Sequence, residues 1–63
     1  MKLPEKILYC RKRAGLSQEE LAGRLGVSRQ AVSKWETGEA QPELSKLAPL
    51  AAELGVSVDW LLS

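Results

Sequence analysis

Apolar residues return along this chain at helical spacing. Leu21, Ala22 and Leu25 fall at i, i+1 and i+4, Val32 and Trp35 share a side with Ala31 next to them, and Leu44, Leu47, Leu50, Ala51 and Leu54 form a longer stripe. No segment alternates apolar and polar positions as a half-buried strand would. The residues between the stripes punctuate five helices. Pro4 suits the first turn of a helix running to about Arg13, with Gly15 as its stop. Ser17 and Glu20 have capping-box spacing: the hydroxyl can accept from the third amide of the helix while the carboxylate reaches back to the cap. Helix two then spans Gln18 to Leu25. Gly26 ends it, Val27 points inward, and Ser28 caps a third helix from Arg29 to about Glu36. Gly38 reads as a left-handed stop, and Thr37 to Gln41 as a loop closed by Pro42. The fourth helix carries the Leu44 to Leu54 stripe, with a kink or a locally broken turn expected at Pro49, which has no backbone donor. Ser57 caps a short fifth helix bearing Val58, Trp60, Leu61 and Leu62. The predicted fold is all-α, a compact five-helix bundle, and residues 1–63 read as one domain because so short a chain cannot support two cores.

Helices two and three are separated by only three residues. Two helices joined steeply by such a turn form a helix-turn-helix, here over about residues 18–37, whose second helix can enter the major groove of duplex DNA. Ala22 is small where the helices must approach, Gly26 permits positive φ, and Leu21, Leu25, Val27, Val32 and Trp35 supply a shared interior. On a helical wheel Val32 and Trp35 face one way, while Gln30, Ser33, Lys34 and Thr37 face the other, with Arg29 at the exposed amino end. That outward set matches base edges: arginine forks onto guanine, glutamine bonds adenine through two atoms, and serine or lysine reaches edges or phosphates.

Net charge, +1 over the chain, conceals a division. Up to Lys34 there are eight cations (Lys2, Lys6, Arg11, Lys12, Arg13, Arg24, Arg29, Lys34) against three acids (Glu5, Glu19, Glu20), a net +5. From Trp35 onward Lys46 stands against Glu36, Glu39, Glu43, Glu53 and Asp59, a net −4. One face is thereby suited to a polyanion.

Other chemistries find little support. A single cysteine, Cys10, and no histidine exclude an internal disulfide, a histidine-containing zinc site and a Cys-His nucleophile pair, so Cys10 is read as core and neither metal nor cofactor is expected. Glu19 and Glu20 are adjacent on a helix and do not converge on one point, and no catalytic role is expected of the chain. Trp35 and Trp60 fall at core positions rather than on a base-stacking surface. No apolar run approaches the roughly 20 residues of a membrane span, and the amino terminus lacks a secretory apolar region, which points to the cytoplasm.

The text Leu16-Ser17-Gln18-Glu19-Glu20-Leu21-Ala22, then Leu25 through Gly38 (LGVSRQAVSKWETG), Pro42, and Leu54 through Leu62 (LGVSVDWLL) resembles the phage-repressor and Cro-like helix-turn-helix domains, the xenobiotic-response-element family. This resemblance covers nearly the whole chain and implies a lambda-repressor-like fold and a bacterial or phage transcriptional regulator, a repressor before an activator. It implies base contacts from Arg29, Gln30, Ser33 and Lys34. Gln18 would contact a phosphate and brace Arg29, where family members often carry glutamine instead, and Ser17 and the backbone near Thr37 and Gly38 would hold flanking phosphates. Arg11 and Glu36 match a pair commonly salt-bridged in similar domains.

The implied partner is double-stranded DNA, bound as a homodimer on a palindromic operator and paired through the fourth and fifth helices. Stopping at Ser63 is compatible with a domain cut from a longer regulator. The competing reading is a protein-interaction module, antitoxin-like or adaptor, that uses another surface of the same fold; the basic third helix counts against it.

Overall fold

The computed structural model describes all 63 residues, in five helices and no strand: α1 Leu3–Arg13, α2 Gln18–Leu25, α3 Arg29–Thr37, α4 Leu44–Leu54 and α5 Val58–Leu62. The all-α five-helix expectation holds. Helix α1 starts one residue before Pro4, and α3 runs one residue past Glu36. Three serines start helices in the same way, each hydroxyl accepting from an amide that the helix cannot satisfy internally: Ser17 from Glu20, Ser28 from Ala31 and Ser57 from Trp60. Glu20 completes the box by accepting from the Ser17 amide at 2.9 Å.

Between α2 and α3 the chain turns through Gly26, whose φ of +69° is left-handed. A Cβ there would meet nothing within 4 Å, so the backbone conformation, not space, calls for glycine. The Val27 amide returns to the Ala22 carbonyl at 3.0 Å, which closes the turn and points Val27 toward the interior.

The core gathers residues from every helix: Ile7 and Cys10 of α1, Leu21, Ala22 and Leu25 of α2, Val32 and Trp35 of α3, Leu50, Ala51 and Leu54 of α4, and Leu61 of α5, with Leu16 from the first loop. Two expectations, Leu44 and Trp60, fail at the edges. Leu44, placed on the α4 stripe, is 85% exposed. Side chains lean toward the amino end of their helix, and at the first helical position that direction leads off the packed surface. Trp60 is 38% exposed and Leu62 also faces solvent, because a helix of five residues turns only one position, Leu61, fully inward. At Pro49, where a kink or a locally broken turn is expected, α4 is continuous and the broken turn does not form. Ser45, whose carbonyl loses its partner to the proline, is exposed, so water can serve it.

Arginine and lysine also enter the interior. Lys6 is 5% exposed, and its ammonium donates to the Trp60 carbonyl at 2.7 Å and to the Ser63 carbonyl and hydroxyl at 3.0 Å each. A cation at the carboxyl end of α5 is well placed against the carbonyl dipoles there. Its ammonium also lies 4.9 Å from the centroid of the Trp60 ring, giving the half-exposed ring one covered face.

Candidate functional site

Helix α3 has a buried side and a polar one. Val32 and Trp35 anchor it, and Ala31 is half-buried beside them. Arg29, Gln30, Lys34 and Thr37 are exposed along the opposite side, and Ser33 is half-buried at its margin. None of the side chains of Gln30, Ser33 and Lys34 takes part in the hydrogen bonds that hold the fold. Ser17 and Gly38 are exposed at the two ends of the helix-turn-helix, and Gln18 is half-buried at the start of α2.

Four of the residues named from sequence meet in one chain of contacts. Arg11 forks onto Glu36, Nε to Oε2 at 2.6 Å and Nη2 to Oε1 at 3.1 Å, tying α1 to the end of α3. Its third donor, Nη1, reaches the Leu16 carbonyl at 2.8 Å. Planar guanidinium and carboxylate groups suit this two-bond pairing. Gln18 Nε2 donates to the same Glu36 Oε1 at 2.9 Å, and Arg29 Nη1 donates to Gln18 Oε1 at 3.5 Å, the longest contact of the set. A polar seam thus runs from inside the fold to the amino end of α3. At the other end, the Thr37 hydroxyl has two acceptors, the Lys34 carbonyl at 3.2 Å and Glu39 Oε1 at 3.1 Å. It carries one proton and can serve one at a time.

The titration of Glu20 is displaced. The Ser17 amide, then the Ser17 hydroxyl, hold its carboxyl below the usual carboxylate range; a little desolvation opposes them and the charge of Arg24 adds to them. This belongs to the cap that starts α2, not to reactive chemistry.

Sequence reasoning missed the residues that seat the site. Lys46 of α4 donates to the Leu25 carbonyl at 3.1 Å, closing the carboxyl end of α2 just before the turn. Arg24 meets Glu53 at 3.1 Å across α2 and α4. These link positions far apart in sequence, and no local spacing announces them. Lys6 had a signal: it lies one turn before Cys10, on the buried face of α1. No helix is long and apolar enough to cross a membrane.

Against known proteins, a helix-turn-helix family model matches residues 7–61. The chain is 45% identical over 58 residues to the SPbeta prophage-derived uncharacterized HTH-type transcriptional regulator YonR of Bacillus subtilis, covering 92% of this chain and 54% of that protein. It is 41% identical over 63 residues to the HTH-type transcriptional activator BcrR of Enterococcus faecalis, covering all of this chain and 31% of that one. The chain therefore spans about half the length of one relative and under a third of the other. Among solved structures, the P22 c2 repressor in complex with synthetic operator 9T superposes with a TM-score of 0.94 at 35% identity, covering 100% of this chain and 96% of that one. With the three-residue turn, the capped helices and the two-sided α3 in place, these matches give one answer: the chain belongs to the helix-turn-helix family.

Proposed function

We propose that this chain is the DNA-binding module of a transcriptional regulator, a single unit over residues 1–63 that lays α3 in the major groove of a double-stranded operator. The observation that carries this reading is the two-sidedness of α3: Val32 and Trp35 hold it to the core while Arg29, Gln30 and Lys34 stand exposed. A groove about 12 Å wide admits one helix and offers each base pair a distinct donor and acceptor pattern. Arg29, Gln30, Ser33 and Lys34 read base edges. Ser17, Gln18, Thr37 and the backbone at Gly38 hold phosphates on either side, which fixes orientation and makes affinity fall with salt. The P22 c2 repressor, whose fold this chain shares, is found in complex with a synthetic operator, which supports operator DNA as the partner.

One such module covers too few base pairs to find a unique site, since it buries only about 600–1,000 Å². Two copies on a palindromic site, with half-sites about one helical turn apart, overcome that limit. Relatives include a named activator and, among the structures, a named repressor, so the fold serves both directions of regulation.

The test begins by selecting a binding site from a random duplex library with the 63-residue chain. Gln30→Ala should then change base preference at one position and cost about 1–3 kcal/mol on the preferred site. Gln18→Ala should weaken binding to all sequences, beyond any effect it has at a single position. If neither variant changes affinity or preference, the assignment of α3 to the groove is wrong.

A further inference from the structure

Arg29 is exposed and long, and an unrestrained arginine of this kind samples many rotamers. Here its Nη1 faces Gln18 Oε1 at 3.5 Å. The direction of that amide is itself imposed. Gln18 Nε2 stands 2.9 Å from Glu36 Oε1, and a carboxylate accepts hydrogen bonds but donates none, so only the NH2 end of the amide can face it. The carbonyl end is thereby turned toward Arg29. A reversed amide would set oxygen against carboxylate and aim N–H donors at a cation. Glu36 is in turn clamped by both bonds from Arg11, with its side chain only 4% exposed.

We propose that Glu36 is a positioning residue for base recognition: its buried carboxylate orients the Gln18 amide, and the amide sets the direction in which Arg29 is offered to DNA. The proposal rests on the reading of α3 as the base-contacting helix. Glu36 touches no base in this scheme. Its effect is to remove rotamers of Arg29 before binding, so that less ordering remains to be done when the guanidinium meets its base. Selectivity at one base pair then depends on a residue behind the recognition surface, and the Arg11–Glu36 pair has a second consequence beyond holding α1 to α3.

The experiment is a double-mutant cycle on the duplex selected with the 63-residue chain. The quantity read is the ratio of affinities for that duplex and for the same duplex changed at the base pair whose preference Arg29→Ala relaxes. Glu36→Gln keeps the size of the side chain but allows the Gln18 amide to reverse, and Gln18→Ala cuts the relay while leaving Arg11 and Glu36 paired. Each should lower the ratio about fivefold or more, the lower range of what one well-placed side chain and base discriminate. Together they should lower it no further than either alone, because both act through one path.

A folded Glu36→Gln with the parent ratio would overturn the proposal. So would an effect of Glu36→Gln that is as large in the Gln18→Ala background as in the parent, since a merely structural loss would not depend on Gln18. If Glu36→Gln does not fold, Gln18→Ala alone decides: an unchanged ratio overturns the relay, and a lowered ratio confined to the base pair of Arg29 supports it. An Arg29→Ala variant that alters no base preference removes the base-reading role and the relay together, whereas an Arg29→Ala effect without a Gln18 effect removes the relay only.

Discussion

Arg11–Glu36 and Arg24–Glu53 both join an arginine to a glutamate on another helix, at 2.6 and 3.1 Å, yet they lie in different surroundings. The first pair has side-chain exposures of 11% and 4%, meets through two bonds, and shares its oxygens and donors with Gln18 and the Leu16 carbonyl. The second has exposures of 56% and 32% and a single bond. Arg24 also divides its charge between Glu53 and the neighbouring Glu20. One ion pair is a fixed part of the interior beneath α3, and the other is a solvated contact at the seam of α2 and α4. The same two residue types therefore do different things, and the difference is set by water and by how many partners each group has.

Removing one member of the buried pair is the strongest way to expose that difference. Arg11→Ala leaves the Glu36 carboxylate without its cation and should destabilise the fold by about 3–5 kcal/mol. Domains of this size have about 0.05–0.15 kcal/mol of stability per residue, so thermal denaturation should find this variant largely unfolded or close to it. The combined change Arg11→Met with Glu36→Leu should recover much of that loss, because an apolar pair of similar volume strands no charge. A single variant as stable as the parent would place Arg11–Glu36 in the same class as Arg24–Glu53.

A smaller effect is expected at Lys6, a buried cation whose partners are backbone oxygens of Trp60 and Ser63 and the Ser63 hydroxyl instead of an acidic side chain. Lys6→Met keeps the length of the stem but takes the donor away from the Trp60 carbonyl at the end of α5. A loss of about 0.5–1.5 kcal/mol follows if that carbonyl stays in place, since the Ser63 amide and hydroxyl still donate to it, and less if the end of α5 frays and reaches water. Hydrogen exchange on α5 separates the two outcomes.

These contrasts also explain what the sequence could announce. The capped helices were legible because Ser17, Ser28 and Ser57 act on amides three residues away, and Gly26 acts on its own backbone. The polar side of α3 was legible for the same reason: Val32 and Trp35 fix its phase. What escaped was settled at a distance. Lys46 and Lys6 find their carbonyls 21 and 54 residues away, and the exposure of Leu44 depends on where the neighbouring surface ends. Trp60 misled because helical phase was extended over a helix too short to have a whole inner face. The roles of Arg11 and Glu36 came through resemblance, since nothing local ties residues 25 apart.

At the exposed seam, Arg24→Ala should cost no more than about 1 kcal/mol, and the cost should shrink further in high salt, because solvated pairs are screened over a Debye length of about 10 Å at 0.1 M. Denaturant midpoints of parent and variant at low and high salt would check this. A salt-insensitive loss comparable to that of Arg11→Ala would mean that Arg24 packs its stem against α4 in a way its charge does not reveal.

The smallest effect belongs to Glu20, which is fully exposed and acts through the cap of α2. Its carboxyl titrates below the usual range because the Ser17 amide and hydroxyl, and more weakly Arg24, favour the ionised form in the folded chain. Its contribution is therefore complete above the pH at which an unfolded glutamate titrates. It declines as pH falls, and is gone once pH has passed through the lower folded value. Glu20→Gln keeps an oxygen for the Ser17 amide, since glutamine also completes a capping box. Stability near neutrality should thus change little, while the acid limb of the stability curve becomes slightly shallower. Arg24→Ala should shift the titration of Glu20 upward by only a fraction of what Ser17→Ala does, as judged by carboxyl NMR titration. The reverse order would make long-range charge, not the cap, the cause of the displaced titration.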